Sequence, residues 1–369
     1  MSTQTFEQGS DLNLPSTVQA LAIAQTGDID VVELMTLPFP KVEPGHIVVK
    51  IEYIGVNFID TYFRKGLYIL DSFPATLGEE AAGVIAKLPT DPAVLVDPNY
   101  QRWGFEVGGT VAVARCPRRK PNLRFGPWAR VFPTRGVSTR ITAASVSGAT
   151  TAITFLSEAY PLTASPFSSH PSAYASEAVV FIHTIAGGLG LLLTQYAKHL
   201  GAKLIIGTTS TSDKAQLARS HGADEVILYK EAGLDGIIKR VMELTGGRGV
   251  DVVFDGVGKD TFEMDFEILA RKGTLVSVGN ASGAVEPFSP LKLMPKNIKL
   301  LRPTVGKYCV TPDEVYYYVN KVFELVSSGV LKVDIYKEYP FTTEGGRQAQ
   351  RDLVGGKTMG KLIIKVSDQ

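Results

Sequence analysis

The stretch from Ala178 to Tyr229 leaves this chain few folds to choose from. It reads as a strand, a glycine turn, a helix, a second strand and the start of another helix. Val179, Val180, Phe181 and Ile182 form an unbroken apolar run, the pattern of a strand buried on both faces. Thr184-Ile185-Ala186-Gly187-Gly188-Leu189-Gly190 follows directly. Leu189, Leu192, Leu193, Tyr196 and Leu200 then recur at helical spacing, and Gly201 stands where a left-handed C-terminal cap is wanted. Lys203 to Thr208 supplies the second strand. Such a turn lets a pyrophosphate approach backbone N–H groups at the positive end of the helix, so Gly187, Gly188, Leu189 and Gly190 are candidate phosphate contacts. The strict G-x-G-x-x-G spacing is absent, and the argument rests on the strand–helix–strand context; glycines serving only helix–strand packing are the alternative.

The end of the second strand speaks to the choice of cofactor. An NAD site usually offers Asp or Glu to the ribose hydroxyls at this point. Here Gly207-Thr208-Thr209-Ser210-Thr211-Ser212-Asp213-Lys214 offers hydroxyls and a lysine, which suit the 2′-phosphate of NADPH. Ser210 with Asp213 also resembles a variant capping box, and Lys214 also reads as a solvated helix charge.

Composition sets bounds on the rest. A chain of 369 residues with 44% apolar and 20% charged residues is ample for two domains with real cores. A net charge of +1 exerts no global pull toward nucleic acid or anionic membrane. Two cysteines, Cys116 and Cys309, cannot build a disulfide framework or a four-cysteine zinc lobe, and a reducing, cytoplasmic setting is expected. No window is apolar for long enough to span a bilayer, and Met1 to Pro15 lacks an apolar signal core. Residues 1–17 read as a disordered tail.

From Val18 to Val113 the signals are short strands and turns, including Ile47 to Ile51, Gly83 to Ala86 and Thr110 to Val113. Between the first two lies Gly55-Val56-Asn57-Phe58-Ile59-Asp60-Thr61-Tyr62-Phe63-Arg64-Lys65-Gly66-Leu67-Tyr68, followed by Gly78-Glu79-Glu80-Ala81-Ala82-Gly83. Later come Leu244-Thr245-Gly246-Gly247-Arg248-Gly249-Val250-Asp251, Arg271-Lys272-Gly273-Thr274-Leu275-Val276-Ser277-Val278-Gly279-Asn280, and Gly356-Lys357-Thr358-Met359-Gly360-Lys361. With these motifs in this order the chain resembles the zinc-free quinone oxidoreductases of the medium-chain dehydrogenase/reductase superfamily, the group that includes zeta-crystallin. The resemblance implies a GroES-like, β-rich catalytic domain (18–150 and 332–369) and a Rossmann-type, doubly wound parallel-sheet NADPH-binding domain (151–331). The β-rich runs Glu225 to Tyr229, Val250 to Phe254 and Thr274 to Val278, separated by helical stretches, agree with a parallel α/β sheet.

Three segments depart from that pattern. Cys116 to Arg130 carries Arg118, Arg119, Lys120, Arg124 and Arg130 with Trp128. Basic residues interleaved with aromatics can track a nucleic-acid backbone, but nothing else basic supports the patch, and a solvated loop is preferred. Thr163 to Ser176 is a Ser- and Pro-rich insertion. Gly256 stands where a serine is frequent.

The same resemblance carries the site residues. Asn57, Asp60, Tyr62, Tyr68 and Thr151 would line the nicotinamide end of the cleft, with Tyr62 the one candidate proton donor, since a phenol stays protonated at neutral pH. Tyr62 as an aromatic wall, Asn57 and Asp60 as helix caps and Thr151 as a packing residue remain open alternatives. Ser210, Lys214 and Tyr229 would contact the adenosine phosphate and adenine, and Asn280, Arg302 and Lys357 the rest of the cofactor. Tyr229 as a strand end, and Arg302 and Lys357 as solvated charges, are their alternatives. His183 reads as a satisfied strand residue without a catalytic role. Zinc relatives hold their metal with a Cys and a Gly-His-Glu motif, whereas Glu79 replaces that His, so no metal is expected. The implied function is NADPH-dependent reduction of a quinone or conjugated enone. Enoyl or alkenal reduction, and a non-enzymatic crystallin-like or RNA-binding role, are the competing readings. Ile298 to Leu301 reads as the last strand of the parallel sheet and as the edge of a homodimer. Neither a membrane nor a nucleic acid is expected as a partner.

Overall fold

The computed structural model describes residues 14–114, 127–168 and 175–366. The chain divides into two compact units, with breaks after Ser147, Asp334, Lys357 and Lys361. Of the expected tail, residues 1–13 lie outside the described residues, and Thr17 already opens a strand.

The first unit begins with β1 (Thr17–Ile23), β2 (Val32–Pro38), β3 (Val48–Val56), α1 (Phe58–Arg64), β4 (Ala75–Thr76) and β5 (Glu80–Lys87). Two single-turn helices follow, α2 (Pro92–Leu95) and α3 (Pro98–Gln101), each with an Asp cap and a Pro in its first turn, then β6 (Thr110–Ala114), β7 (Val131–Pro133) and the start of α4 (Thr139–Thr154), whose residues from Gly148 on belong to the second unit. β1 pairs antiparallel with β2 on one side and with β4 on the other.

The second unit holds β8 (Val179–Ile182), α5 (Gly188–His199), β9 (Leu204–Thr209), α6 (Ser212–Ser220), β10 (Glu225–Leu228) and α7 (Tyr229–Leu244). It continues with β11 (Val250–Asp255), α8 (Phe262–Ile268), β12 (Leu269–Ser277), β13 (Lys299–Leu301), α9 (Val305–Tyr308) and α10 (Pro312–Ser327). Its strands run in the order β10-β9-β8-β11-β12-β13, every pair parallel. This is the doubly wound order in which the winding reverses between the first and fourth strands, here β8 and β11. Residues alternate across β8: Val180 and Ile182 pack with Leu192 and Tyr196, Val179 and Phe181 with Ile237 and Val241. A strand sandwiched this way must be apolar throughout, which is why its sequence shows no alternation. Gly201 adopts φ +85°, the left-handed cap that its position predicts.

The chain then returns to the first unit with β14 (Ile335–Pro340), α11 (Thr343–Val354) and β15 (Lys361–Lys365), completing an antiparallel sheet of order β14-β15-β3-β5-β6-β7. Its core gathers Ile23, Val56, Tyr339, Ala349, Leu362 and Ile364, residues far apart in sequence. Among the described residues no helix is long and apolar enough to cross a membrane.

Candidate functional site

In the second unit the winding reverses at the carboxyl ends of β8 and β11, and the glycine turn leaves β8 there. Thr184 adopts φ +52°, Gly187 N–H donates to Thr184 O at 2.8 Å, and Ile185 N–H reaches across to Thr208 O at 3.1 Å. Gly187 is the N-cap of α5 and supplies no side chain to its first-turn N–H groups. A Cβ on Gly190 would stand 2.5 Å from Thr184 O and 2.7 Å from Ile185 O, so only glycine lets the helix sit this close to the turn. An uncapped helix start behind a close-packed glycine turn fits a pyrophosphate.

At the end of β9, Ser210 is half-buried, and the alternative reading of Ser210 with Asp213 as a capping box does not hold. The N-cap of α6 is Thr211, one residue later, because the chain stays extended through that position. Nor is Lys214 a solvated helix charge: it is only 9% exposed. Burial, and after it the nearby Lys230, lower its pKa. Tyr229 does not end its strand but opens α7, with its ring exposed. Arg302 is no loose charge either. Its Nη1 donates to Ser277 Oγ at 2.7 Å and Gly279 O at 3.1 Å, while the Asn280 amide, donating to Gly279 O, accepts from Nη2 at 3.0 Å. These bonds brace the turn that follows β12. Thr151 is half-buried on α4.

Beneath the turn lies a buried polar network. His183 Nδ1 meets Thr208 Oγ1 at 3.1 Å and Nε2 meets Asp265 Oδ1 at 2.8 Å. Asp255 accepts from Val257 N, Gly258 N and Thr261 Oγ1. Burial pushes the Asp265 carboxyl up to about 7 against the pull of His183, with Asp255 adding to the rise. At His183 burial opposes the charged ring, but Asp265 and Asp255 outweigh it and hold its pKa above the ordinary value. His183 is therefore satisfied, as its sequence position implies. Asp265 carries no sequence signal of its own, being one of three acids in α8 with Glu263 and Glu267.

In the first unit, Asn57 N–H donates to Asp60 Oδ2 at 2.9 Å, and Gly78 N–H donates to Asp60 Oδ1 at 3.1 Å. Both oxygens of a carboxylate only 3% exposed thus hold backbone donors, and Asp60 braces the start of α1. The Asn57 side-chain amide donates to Glu80 Oε1 at 2.9 Å, and Glu80 Oε2 accepts from Ser147 N at 2.7 Å. Sequence reasoning missed Glu80, although Gly55 betrays it: a Cβ there would lie 2.5 Å from Glu80 Cγ. Tyr62, 8% exposed, packs edge-on against Tyr68 with ring centroids 5.4 Å apart. Glu79 is buried, and Lys357 is exposed after Gly356, whose φ is +63°.

Arg118, Arg119, Lys120 and Arg124 lie outside the described residues, as do residues 169–174 of the insertion. Trp128 is buried edge-on to Tyr100 at 5.4 Å, so it offers no face for a base to stack on. What is described of the insertion is anchored: Phe167 packs on Tyr317 at 5.7 Å, and Ser165 donates to Glu158.

Comparison with known proteins agrees with this architecture. Residues 43–154 match the family model described as the alcohol dehydrogenase GroES-like domain, and residues 188–324 the one described as zinc-binding dehydrogenase. A quinone oxidoreductase of Salmonella typhimurium is 36% identical over 336 residues, 90% of this chain and 95% of its own length. The crystal structure of Escherichia coli quinone oxidoreductase complexed with NADPH superposes with a TM-score of 0.78 at 31% identity, covering 95% of this chain and 100% of that one. A 2-haloacrylate reductase of Burkholderia is 29% identical, spanning 87% of this chain and 91% of its own length.

Proposed function

The chain belongs to the quinone oxidoreductases of the medium-chain dehydrogenase/reductase superfamily, and we propose on that premise that it reduces a quinone with NADPH and without a metal. The observation that carries the cofactor reading is Lys214, a lysine kept buried beside a second lysine where NAD sites place an acid. Bound NADPH supplies the hydride. The first turn of α5 receives the pyrophosphate, and Ser210 and Lys214 receive the 2′-phosphate. Tyr229 borders the adenine; Arg302 and Asn280 keep the turn after β12 in shape, and Lys357 and Thr151 complete the cofactor contacts.

On the substrate side, Tyr62 donates a hydrogen bond to the oxygen on which charge develops, with Tyr68 walling its ring. Glu80 orients Asn57 toward the same chemistry, and Asp60 fixes the helix that carries Tyr62. A quinone accepts hydride without a Lewis acid, in keeping with Glu79 at the position where zinc relatives place a histidine. The likeness to a 2-haloacrylate reductase favours conjugated enones as a second substrate class. We propose further that the protein is a cytoplasmic homodimer.

Oxidation of NADPH by the purified protein, followed against a panel of quinones and of enones, tests this reading. Turnover with at least one quinone, faster with NADPH than NADH, is expected. No turnover with any quinone, in protein that binds NADPH, would remove the activity and leave only a cofactor-binding protein.

A further inference from the structure

We infer that His183 is a positioning residue for the cofactor: with Asp265, Asp255 and Thr208 it forms a proton-holding network whose protonation state sets NADPH affinity. The inference rests on the reading that the glycine turn binds NADPH. It starts from placement, because the four residues tie together every segment at the switch point. Thr208 ends β9 and holds the turn through its carbonyl, which accepts from Ile185 N at 3.1 Å, while its hydroxyl meets His183 Nδ1 at 3.1 Å. His183 leads straight into the turn, and Thr184 Oγ1 donates back to His183 O at 2.7 Å. Asp255 shapes the loop after β11 through Val257, Gly258 and Thr261. That loop in turn touches the Asn280 turn, with Ala281 N–H on Gly256 O at 3.2 Å and Ser282 N–H on Val257 O at 2.9 Å.

The titratable groups facing the imidazole are Asp265 from α8 and Asp255 from β11. β9 contributes the Thr208 hydroxyl, and β8 the edge-on ring of Phe181, centroids 4.9 Å apart. The His183, Asp255 and Asp265 side chains place ligand-type atoms within 4.8 Å of one another, but the 2.8 Å His183–Asp265 hydrogen bond already occupies the nitrogen a metal would need. One Asp265 oxygen, Oδ2, is buried with no hydrogen-bond partner. Two acids around one imidazole make the shared proton hard to lose, since its loss leaves buried carboxylates with no counter-charge. Losing it also adds negative charge directly under a turn that must hold phosphates. Anion binding and protonation therefore favour each other, and by linkage each must shift the other equally.

The test is a reciprocal one. Histidine 15N resonances of the full chain, with His183 assigned from His183→Asn, are titrated with and without NADPH, and NADPH dissociation constants are measured from pH 6 to 9. Comparing wild type with Asp265→Asn cancels the titration of the 2′-phosphate itself. NADPH should raise the apparent pKa of the His183 pair by about one unit, matched by about a tenfold weaker affinity above that pKa than below it. In Asp265→Asn that extra pH dependence should vanish. Thr208→Val should weaken NADPH binding and Thr208→Ser restore it, a pair that also serves if Asp265→Asn does not fold. Parallel affinity profiles in wild type and Asp265→Asn, or a His183 titration that NADPH leaves unmoved, would overturn the network. Wild type that binds no NADPH at any pH would overturn the functional reading along with it.

Discussion

Lys214 shows how far a single residue can be read from sequence. The missing acid after Thr208 and the presence of Ser210 and Lys214 point to NADPH, and the structure adds that the lysine is nearly buried. A buried cation that meets a phosphate makes a charge-assisted contact worth about 1.5–3 kcal/mol, so Lys214→Ala should weaken NADPH about tenfold or more and leave NADH nearly untouched. Titrating both cofactors into both proteins checks this; equal wild-type affinity for NADH and NADPH would refute it. Glu80 gives a second prediction at this scale. Its carboxylate accepts from both Asn57 Nδ2 and Ser147 N, whereas a glutamine has one acceptor oxygen to offer. Glu80→Gln should lower kcat more than it raises KM for NADPH and lower stability by about 1–3 kcal/mol, as one half-buried donor loses this acceptor. Unchanged kcat in the folded variant would remove Glu80 from the positioning of Asn57. Lys214 was legible because it stands beside a motif. Glu80 and Asp265 act through partners many residues away, and no local pattern announces such pairings.

At the scale of elements, the glycine turn was legible because three constraints meet in one short stretch: a strand apolar on both faces, a helix start without a cap, and a close backbone approach. Gly190→Ala should place a methyl group against two carbonyl oxygens, costing about 1–3 kcal/mol by urea denaturation and weakening NADPH severalfold. A variant of wild-type stability and affinity would mean that the turn tolerates a side chain. The elements around Asp265 make a pH prediction. Its folded pKa of about 7 stands above the ordinary carboxylate value, so its contribution to stability is full below about pH 4 and is lost as pH climbs through about 7. The raised His183 acts with the same sign. Melting temperature should therefore fall more steeply from pH 5 to 8 in wild type than in Asp265→Asn, and equal slopes would contradict this. Element boundaries were less legible. Ser210 also reads as a cap because Asp213 follows three residues later, yet the backbone makes Thr211 the N-cap although Lys214, not an acid, stands three residues beyond it.

For the molecule as a whole, the prediction is a homodimer joined through the parallel sheet of the second unit. β13 ends the sheet order, paired with β12 on one side and with no strand of the chain on the other among the described residues. A bare edge invites another chain unless charge or a loop covers it. Lys299 is the one charge in the strand, and Leu291 and Met294, in the segment just before it, are 70% and 66% exposed. Large apolar side chains left in water beside an open edge fit an isologous contact, the same surface meeting itself across a two-fold axis. Sedimentation equilibrium at tens of micromolar should give a dimer for wild type. Leu291→Glu, outside any sheet pairing, should weaken association without unfolding the protein, and Leu300→Pro should abolish it by removing a ladder donor. A wild-type monomer at that concentration, or a folded Leu300→Pro variant that stays fully dimeric, would rule this edge out as the interface.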